Sequence, residues 1–259
     1  MKYFLLVLFL IPNVLLADAS IEDYRKYNTT KTKFNLQKTA KGLENPWALT
    51  FIDKKNIVVT EKDGGLYRIN VLTGEKQKIK HNIPHIGYDG GGQGGLLDVY
   101  FNPSDGYTYF TYSHKSSKLT RSKQLSKKSS TAIARGRLVE NEIKDFEILL
   151  IAKPEFLENR HYGSRIVIKG DDLFASFGER GQGMISQDPS KHPGSIIRIK
   201  TDGVIPQDNP RFIEKKDWLP EIYAIGVRNP QGIAVSPHDN EIYFSSHGPR
   251  GGDHIGEVE

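Results

Sequence analysis

The sequence repeats one pattern four times: a short apolar strand, a turn rich in Asp, Asn, Gly or Pro, and a second apolar strand. Turns of this composition between β-branched and aromatic runs are typical of β-hairpins. Equivalent apolar positions recur 50, 67 and 67 residues apart. They are Phe51, Phe101, Ile168 and Val235.

A third apolar strand follows three of the four hairpins, at residues 65–69, 134–138 and 195–199. Consecutive four-stranded antiparallel units around an axis form a β-propeller, so we predict an all-β propeller with about four blades present. A β-sandwich is the competing fold, but it does not ordinarily repeat one hairpin pattern four times. Only residues 145–157 have a spacing that permits a helix.

The fourth unit ends inside its third strand, at Glu259. A propeller needs 4–8 blades, and an unclosed ring exposes two sheet edges that promote aggregation. The alternatives are a four-bladed ring with an unfinished last blade and a chain that lacks its C-terminus. We favour the second.

Residues 1–19 have the pattern of a secretory signal peptide. Lys2 precedes an apolar run at 3–11, and residues 17–19 read Ala-Asp-Ala, a small-residue cleavage site. The run is shorter than the ~20 apolar residues that span a bilayer, and there is no cysteine to carry a lipid. We expect a periplasmic or secreted protein with no stable membrane anchor and a propeller domain at 20–259. An uncleaved anchor is the alternative.

The positive charge of the chain is local. The net charge is +5, and one Ser/Lys-rich stretch, residues 114–131, holds six Lys/Arg and no acid. The stretch contains no aromatic residue that would stack on bases, so we interpret it as a solvated hairpin loop and predict no nucleic-acid partner. The absence of cysteine excludes disulfides, thiolate metal sites and cysteine nucleophiles, so any metal must be held by oxygen or imidazole.

Polar loops between the predicted blades are natural binding sites at one end of a propeller channel. The glycine run at 90–95 lacks the Lys-Ser/Thr and the helix of a phosphate-binding loop, so we interpret it as a turn that carries Gln93 into the channel. His161 precedes an inner strand, and Glu179 ends the next strand. Glu179 would then fix the tautomer of a basic His161. A purely structural histidine is the alternative.

A third loop places Arg228 beside two amides, Asn229 and Gln231, at the same point in the following blade. An arginine there is suited to stabilising a developing oxyanion. The alternative is a surface ion pair.

The fourth loop, residues 247–254, is expected to expose backbone carbonyls beside its proline and glycines, with the carboxylate of Asp253 nearby. These are hard oxygen ligands of the kind that Ca²⁺ binds. No EF-hand pattern is present, so the spacing alone is a weak indication of a calcium site.

Six motifs resemble, in order, the soluble pyrroloquinoline-quinone-dependent sugar dehydrogenases, the glucose/sorbosone dehydrogenase family, and especially its aldose sugar dehydrogenase branch. The resemblance runs from about Gly42 to the end of the chain, and six ordered motifs are far more specific than any one of them. They are GLENPWALTF, GQGGLLDVYFNP, HYGSRIVIKGDDLFASFGERG, HPGSIIRIKTDGVIPQDNP, IYAIGVRNPQGIAVSP and HGPRGGDHI.

The resemblance implies a six-bladed propeller that holds pyrroloquinoline quinone (PQQ) flat in its channel with Ca²⁺. It implies that His161 takes the proton of the anomeric hydroxyl of an aldose while hydride passes to the quinone, giving a lactone. Glu179 stands where the family often has Asp and would orient the histidine, and Arg228 would stabilise charge on a quinone oxygen. Gln93 and Asn229 resemble its hydrogen-bonding neighbours.

The same resemblance completes the expected cofactor and metal sites. It matches the carbonyls of Gly248 and Pro249 to those that bind Ca²⁺. We add Gln231 to the cofactor-binding set and Asp253 to the metal set. The family's last two blades supply the basic residues that hold the quinone carboxylates and the aromatics that frame the sugar. The chain ends before such residues, so we expect residues 1–259 to bind the quinone poorly and to turn over slowly or not at all.

Two other functions remain alternatives. A non-catalytic ligand-binding propeller is the first, and loss of the catalytic histidine would favour it, whereas His161 is retained. A Ca²⁺-dependent propeller hydrolase is the second, and it requires several carboxylates that converge on one metal. The identity of the aldose, the electron acceptor and the existence of a homodimer stay open.

Overall fold

The computed structural model describes residues 25–28, 31–116 and 127–258. The predicted signal peptide and residues 117–126 of the predicted basic loop lie outside these ranges. Strands β1 (Arg25–Asn28) and β2 (Lys33–Leu36) form a separate antiparallel hairpin before the four larger sheets.

Four antiparallel sheets follow in chain order, and in each the strands pair sequentially. The first sheet contains β3 (Pro46–Phe51), β4 (Asn56–Glu61), β5 (Leu66–Asn70) and β6 (Lys76–Lys78). The second contains β7 (Leu96–Asn102), β8 (Tyr107–Lys115), β9 (Ser129–Val139) and β10 (Glu142–Ile151). The third contains β11 (Gly163–Lys169), β12 (Asp172–Phe177), β13 (Ser195–Lys200) and β14 (Ile222–Ile225). The fourth contains β15 (Pro230–Val235), β16 (Ile242–Ser246) and β17 (His254–Glu257).

Two short helices lie in the connections of the third sheet. A 3-10 helix spans Gly183–Gln187, between β12 and β13. Helix α1 (Pro210–Ile213) lies between β13 and β14, and it begins at proline, whose fixed φ and missing N–H suit the first position of a helix.

The first strands of the four sheets, β3, β7, β11 and β15, lie side by side in chain order. Each sheet packs its face on the next sheet, and a separate apolar core fills each of the three gaps. The members are drawn from both neighbouring sheets, because alternate residues of a strand point to opposite faces. Sheets that pack face to face with their first strands around an axis are propeller blades, so the prediction of an all-β propeller with about four blades is confirmed.

Residues 145–157 are the one region where the sequence permitted a helix, and that interpretation is wrong. Strand β10 covers Glu142–Ile151 and pairs with β9. Its register shifts between Lys144 and Glu147 and again between Ile148 and Leu150. Such bulges place an extra residue in the strand and interrupt its two-residue alternation, which explains the misleading spacing.

The sheet topology places every candidate loop at the same end of the blades. In a four-stranded antiparallel blade, the loop between the second and third strands lies at the same end as the loop that enters the next blade. Gln93, His161 and Arg228 lie in loops that enter a blade, whereas Glu179 and Gly248 lie between second and third strands. Within the described part of the chain, no helix is long and apolar enough to cross a membrane.

Candidate active site

His161 and Glu179 form the centre of the site. The loop that enters β11 carries His161, and Glu179 lies two residues after the end of β12. The imidazole Nδ1 contacts the carboxylate Oε1 of Glu179, in a short hydrogen bond. The side chains are 12% and 4% exposed, so bulk water competes little for this bond. The Glu179 side chain, which is longer than the Asp that the family often has there, therefore forms the hydrogen bond to the histidine.

Further hydrogen bonds hold the Glu179 side chain and backbone. Its second carboxylate oxygen, Oε2, accepts the N–H of Gly183 at 2.7 Å. Its own backbone N–H donates to the carbonyl of Arg228 at 2.8 Å. The Arg228 Nε atom lies 4.0 Å from Glu179 Oε1, and Nη1 donates to the carbonyls of His247 and Gly248 at 3.3 and 3.4 Å. Arg228 therefore connects the His161–Glu179 pair to the loop proposed to bind calcium.

Gln93 contacts the same histidine from the preceding blade. Its Oε1 atom accepts the backbone N–H of His161 at 2.6 Å. The surrounding glycines allow this close approach: a Cβ on Gly94 would lie 2.6 Å from both the Gly87 carbonyl oxygen and Asn159 Oδ1. The second half of the glycine run, Gly92 to Gly95, is therefore closely packed around Gln93.

The amides Asn229 and Gln231 line the bore beside the start of β11. Asn229 Oδ1 accepts the N–H of Gly163 at 3.1 Å, and Gln231 Nε2 donates to the Gly163 carbonyl at 3.1 Å. These bonds leave Asn229 Nδ2, Gln231 Oε1 and Gln93 Nε2 without a hydrogen-bond partner among the described residues. Three amide ends are thus available to a ligand.

A cavity of about 210 Å³ lies at this end of the bore. A second cavity, of about 500 Å³, shares Gln231 and His247 with it and extends along the fourth blade. Together the two fall in the range of about 300–1,000 Å³ that small-molecule sites occupy. The first is lined by Trp47, Lys62, Gln93, Leu97, Tyr162, Gly163, Asn229, Gln231 and His247.

His161, Glu179 and Arg228 are not part of the cavity walls, although their neighbours are. His161 immediately precedes the wall residues Tyr162 and Gly163. Arg228 immediately precedes Asn229, another wall residue. The three charged or titratable groups therefore stand beside the cavity rather than inside it.

The candidate calcium loop follows β16. One oxygen of Asp253, Oδ1, accepts the N–H of Gly248 at 2.9 Å. That bond lowers the pKa of Asp253, with His247 and Arg228 contributing, so the carboxylate is ionised at neutral pH. The Gly252 N–H donates to the carbonyl of Pro249 at 3.1 Å, which leaves the second lone pair of that oxygen available.

The donor set of this loop fits a hard cation in part. Two carbonyl oxygens and one carboxylate are the ligand types that Ca²⁺ prefers, whereas Ca²⁺ takes 6–8 oxygens in all. Asp253 also braces the loop through Gly248. Within the described ranges, no cluster of three or more His, Asp or Glu side chains is arranged to bind a metal.

Sequence reasoning missed a polar network across the bore. Asp98 on β7 pairs with Arg165 on β11, whose Nη1 lies 3.1 Å from Oδ1. Arg165 also stacks over the Trp47 ring at 4.0 Å and donates Nε–H to the Gln231 carbonyl at 2.8 Å. A lone acid in the otherwise apolar run Leu96–Phe101 was the available signal, because a buried carboxylate requires a partner.

The fold defines a β-propeller in which the loops that enter the blades bring polar residues together beside two adjoining cavities at one end of the bore. Residues 43–259 match the glucose/sorbosone dehydrogenase family. The chain belongs to this family, so the resemblance seen in the six motifs is confirmed.

The relatives are longer than this chain. Aldose sugar dehydrogenase YliI of Escherichia coli is 33% identical in an alignment of 228 positions that covers 85% of this chain and 58% of that protein. Quinoprotein glucose dehydrogenase B of Acinetobacter calcoaceticus is 27% identical in an alignment of 266 positions that covers 92% of this chain and 53% of that protein. The chain thus spans little more than half the length of these relatives.

Solved structures show the same architecture. The crystal structure of the soluble aldose sugar dehydrogenase from Escherichia coli in the apo-form has a TM-score of 0.73 and 32% sequence identity to this chain. The superposition covers 84% of this chain and 61% of that one. The four blades therefore correspond to a large part of a sugar dehydrogenase propeller.

Proposed function

We propose that the protein oxidises the anomeric hydroxyl of an aldose to a lactone, with PQQ as the two-electron acceptor and Ca²⁺ bound beside it. The O–H and C–H bonds at the anomeric carbon break, and a carbonyl forms there. His161 would take the proton of the hydroxyl, and a bound quinone would supply the two-electron oxidising capacity that the reaction needs. The relatives named as sugar dehydrogenases and as a quinoprotein support this proposal.

The contact between His161 and Glu179 carries the proposal. When the Nδ1–H group of His161 donates a hydrogen bond to Glu179, the proton stays on Nδ1. The lone pair of Nε2 is then available as a base. No group among the described residues hydrogen-bonds to Nε2. A base whose tautomer is fixed by a buried carboxylate is the arrangement that general base catalysis requires.

Arg228 supplies a permanent positive charge next to this pair. Its guanidinium is partly exposed, with 34% of the side chain accessible, and it retains N–H donors that face no described acceptor. A fixed donor of this kind stabilises negative charge that develops on an oxygen during the reaction. We assign that role to Arg228.

The residues around the cavity suit a planar, polyanionic quinone. Gln93, Asn229 and Gln231 would offer their remaining amide atoms, and Lys62 is part of the same wall. The Gly248 and Pro249 carbonyls would hold Ca²⁺, with the Asp253 carboxylate as a third oxygen donor or as a brace of the loop. When bound, the quinone supplies the redox chemistry, and the protein supplies orientation and electrostatics.

The cellular location is part of the proposal. The amino-terminal pattern of charge, apolar run and small residues indicates export, so we place the protein in the periplasm or outside the cell. PQQ and Ca²⁺ would then be met in the same compartment as the sugar.

Reconstitution tests the proposed function. Quinone and Ca²⁺ are added to the protein, binding is followed by absorbance, and dye reduction is measured with a panel of aldoses. Aldose-dependent dye reduction by residues 1–259 is expected to be slow, and His161→Ala should abolish it while leaving quinone binding unchanged. His238→Ala, an exposed histidine in a turn of the fourth blade, is the matched control. Dye reduction that survives His161→Ala contradicts the assignment of the base.

A further inference from the structure

Arg180 is a buried cation that has no acidic hydrogen-bond partner among the described residues. The residue is 2% exposed and belongs to the largest fully buried side chains of the described chain. In the part of the chain that the structure describes, its guanidinium donates to no carboxylate. Burying an unpaired charge is costly, and an apolar side chain of similar size would avoid that cost. The arginine therefore requires an explanation beyond packing.

The guanidinium binds neutral oxygens from two separate segments. Its Nε donates to the Arg160 carbonyl at 2.9 Å, and Nη2 donates to the Glu158 carbonyl in a short bond. On the other side, Nη1 donates to the Ser129 carbonyl at 2.8 Å. The planar group also stacks over the Tyr162 ring at 3.7 Å. One side chain thus ties the loop that carries His161 to the beginning of β9.

The same residue contacts the peptide groups on both sides of the His161 α-carbon. Its side chain holds the Arg160 carbonyl, and its backbone N–H donates to the His161 carbonyl at 3.3 Å. Both His161 and Arg180 have left-handed backbones, with φ of 52° and 57°. Such a conformation is unfavourable in a residue other than glycine, so it persists only when its surroundings hold it.

The positive charge of Arg180 interacts electrostatically with Glu179, the partner of His161. Burial lowers the pKa of the Arg180 guanidinium, and attraction from Tyr162, Glu158 and Glu179 opposes this. The group remains positively charged at any physiological pH, since arginine does not lose its proton in proteins. A permanent cation therefore lies directly after the carboxylate that contacts His161.

We propose that Arg180 is the positioning residue that fixes His161 against Glu179, by tying the left-handed loop around the histidine to strand β9. Arg180 touches neither substrate nor cofactor in this assignment and acts through His161. The catalytic consequence rests on the function proposed above. The positioning itself does not, and it is measurable without turnover.

The test uses the imidazole N–H protons in NMR spectra of the protein without cofactor. A histidine Nδ1–H held against a carboxylate gives a downfield signal, and His161→Ala identifies the one from His161. The second buried pair, His192 with Glu221 at 2.5 Å, provides an internal reference in the same spectrum. In Arg180→Met the His161 signal should disappear while the His192 signal persists.

A matched control separates positioning from general loss of stability. Arg198 is also largely buried, at 13% side-chain exposure, and lies near the rings of Phe174 and Tyr223. It belongs to β13 and pairs with Asp172 at 2.6 Å. Arg198→Met makes the same chemical change away from the site, so it should lower the unfolding temperature and leave the His161 signal intact.

A second variant decides the matter if Arg180→Met does not fold. Arg180→Lys keeps the charge, but a single ammonium group cannot reach the Ser129, Glu158 and Arg160 carbonyls together. The His161 signal should therefore weaken in a folded Arg180→Lys protein. An unchanged His161 signal in either folded variant overturns the proposal.

Activity then links the positioning to the reaction. If the protein oxidises aldoses, kcat should fall about 100-fold in Arg180→Lys, because a misplacement of about 1 Å has this effect. The KM for the aldose should change much less. If His161→Ala retains full turnover while the NMR result holds, the proposed function fails and the positioning by Arg180 stands.

Discussion

Asp98 and Arg165 form an ion pair in the bore, with 3.1 Å between the carboxylate Oδ1 and the guanidinium Nη1. The other carboxylate oxygen accepts the N–H of Ile166 at 2.8 Å. Burial raises the pKa of Asp98, and the charge of Arg165 opposes that shift. The inner strands of the second and third blades are therefore joined by charge as well as by apolar packing.

Asp98→Asn should destabilise the protein by about 2 kcal/mol, because a hydrogen bond to a charged group contributes about 1.5–3 kcal/mol. Asparagine has the size of aspartate and keeps one oxygen as a hydrogen-bond acceptor. The lost stability therefore reflects the removal of the negative charge that faces Arg165. Urea unfolding at pH 7 measures it. Asp202→Asn, at an exposed turn, should change stability by less than about 0.5 kcal/mol. Equal effects of the two variants would show that the bore pair contributes nothing.

Glu179→Gln should lower kcat for aldose oxidation by about 100-fold or more, because the neutral amide no longer holds His161 as a base with a free Nε2. Glu179→Asp should keep more activity, since it retains the carboxylate. Steady-state dye reduction measures both. Glu241→Gln, an exposed carboxylate in the fourth blade, is the control that should retain full activity. A Glu179→Gln variant as active as the parent protein would remove Glu179 from the mechanism.

Gly94→Ala should destabilise the protein by about 1–3 kcal/mol, as overpacking does. Its Cβ would lie 2.6 Å from the Gly87 carbonyl oxygen, a backbone atom that cannot easily move. The displaced loop would also shift Gln93 and weaken quinone binding. Gly91→Ala is the control in the same run, because nothing lies within 4 Å of its added Cβ. Thermal unfolding and quinone titration should distinguish the two; identical behaviour would contradict the close-packing explanation.

Glu221 makes the stability of the protein depend on pH. Burial raises the pKa of Glu221, but the hydrogen bond and charge of His192 outweigh it and lower the pKa below the ordinary 4.5. Because the folded-state pKa is the lower one, the stabilisation is present above pH 4.5 and is lost as the pH falls through the depressed value. Glu221→Gln should flatten the stability profile below pH 4.5 and lower stability at pH 7. Urea unfolding at several pH values measures this, and parallel profiles would refute it.

Ca²⁺ should raise the unfolding temperature of the protein, since a ligand that binds only the folded state stabilises it. Asp253→Asn should reduce that increase, because it removes a negative oxygen from the loop that contains Gly248 and Pro249. Asp239→Asn, an exposed carboxylate in another turn of the fourth blade, should not. Differential scanning calorimetry with Ca²⁺ and with Mg²⁺ checks the prediction. If Ca²⁺ does not change the unfolding temperature of the parent protein, the proposed metal site is wrong.

The strand pattern was predictable because each hairpin is encoded by neighbours in the chain. Turn residues such as Asn102 and Gly106 favour a reversal of the chain direction, and the apolar residues on either side favour an extended backbone. The error at 145–157 arose at two bulges of β10, where the local alternation fails. Bulges depend on pairing with β9, so their effect is not visible in the strand itself.

The candidate residues were predictable as types and as loops, and one contact between them was predicted as well. His161 and Glu179 were expected to meet, and they do. The partners Arg180 and Asp98 were not singled out, since a buried arginine and a lone acid in an apolar strand have no distinctive spacing. Their roles depend on carbonyls and side chains from other blades.

The sequence by itself determined the strands, the turns and the family, because these depend on residues close together in the chain and on ordered motifs. Tertiary structure alone decided which of the polar groups meet across the bore. Gln93 and His161 are 68 positions apart, and Asp98 and Arg165 are 67. Contacts at such separations follow from how the blades pack around the axis, and that packing is set by all of the interblade cores together rather than by any local pattern.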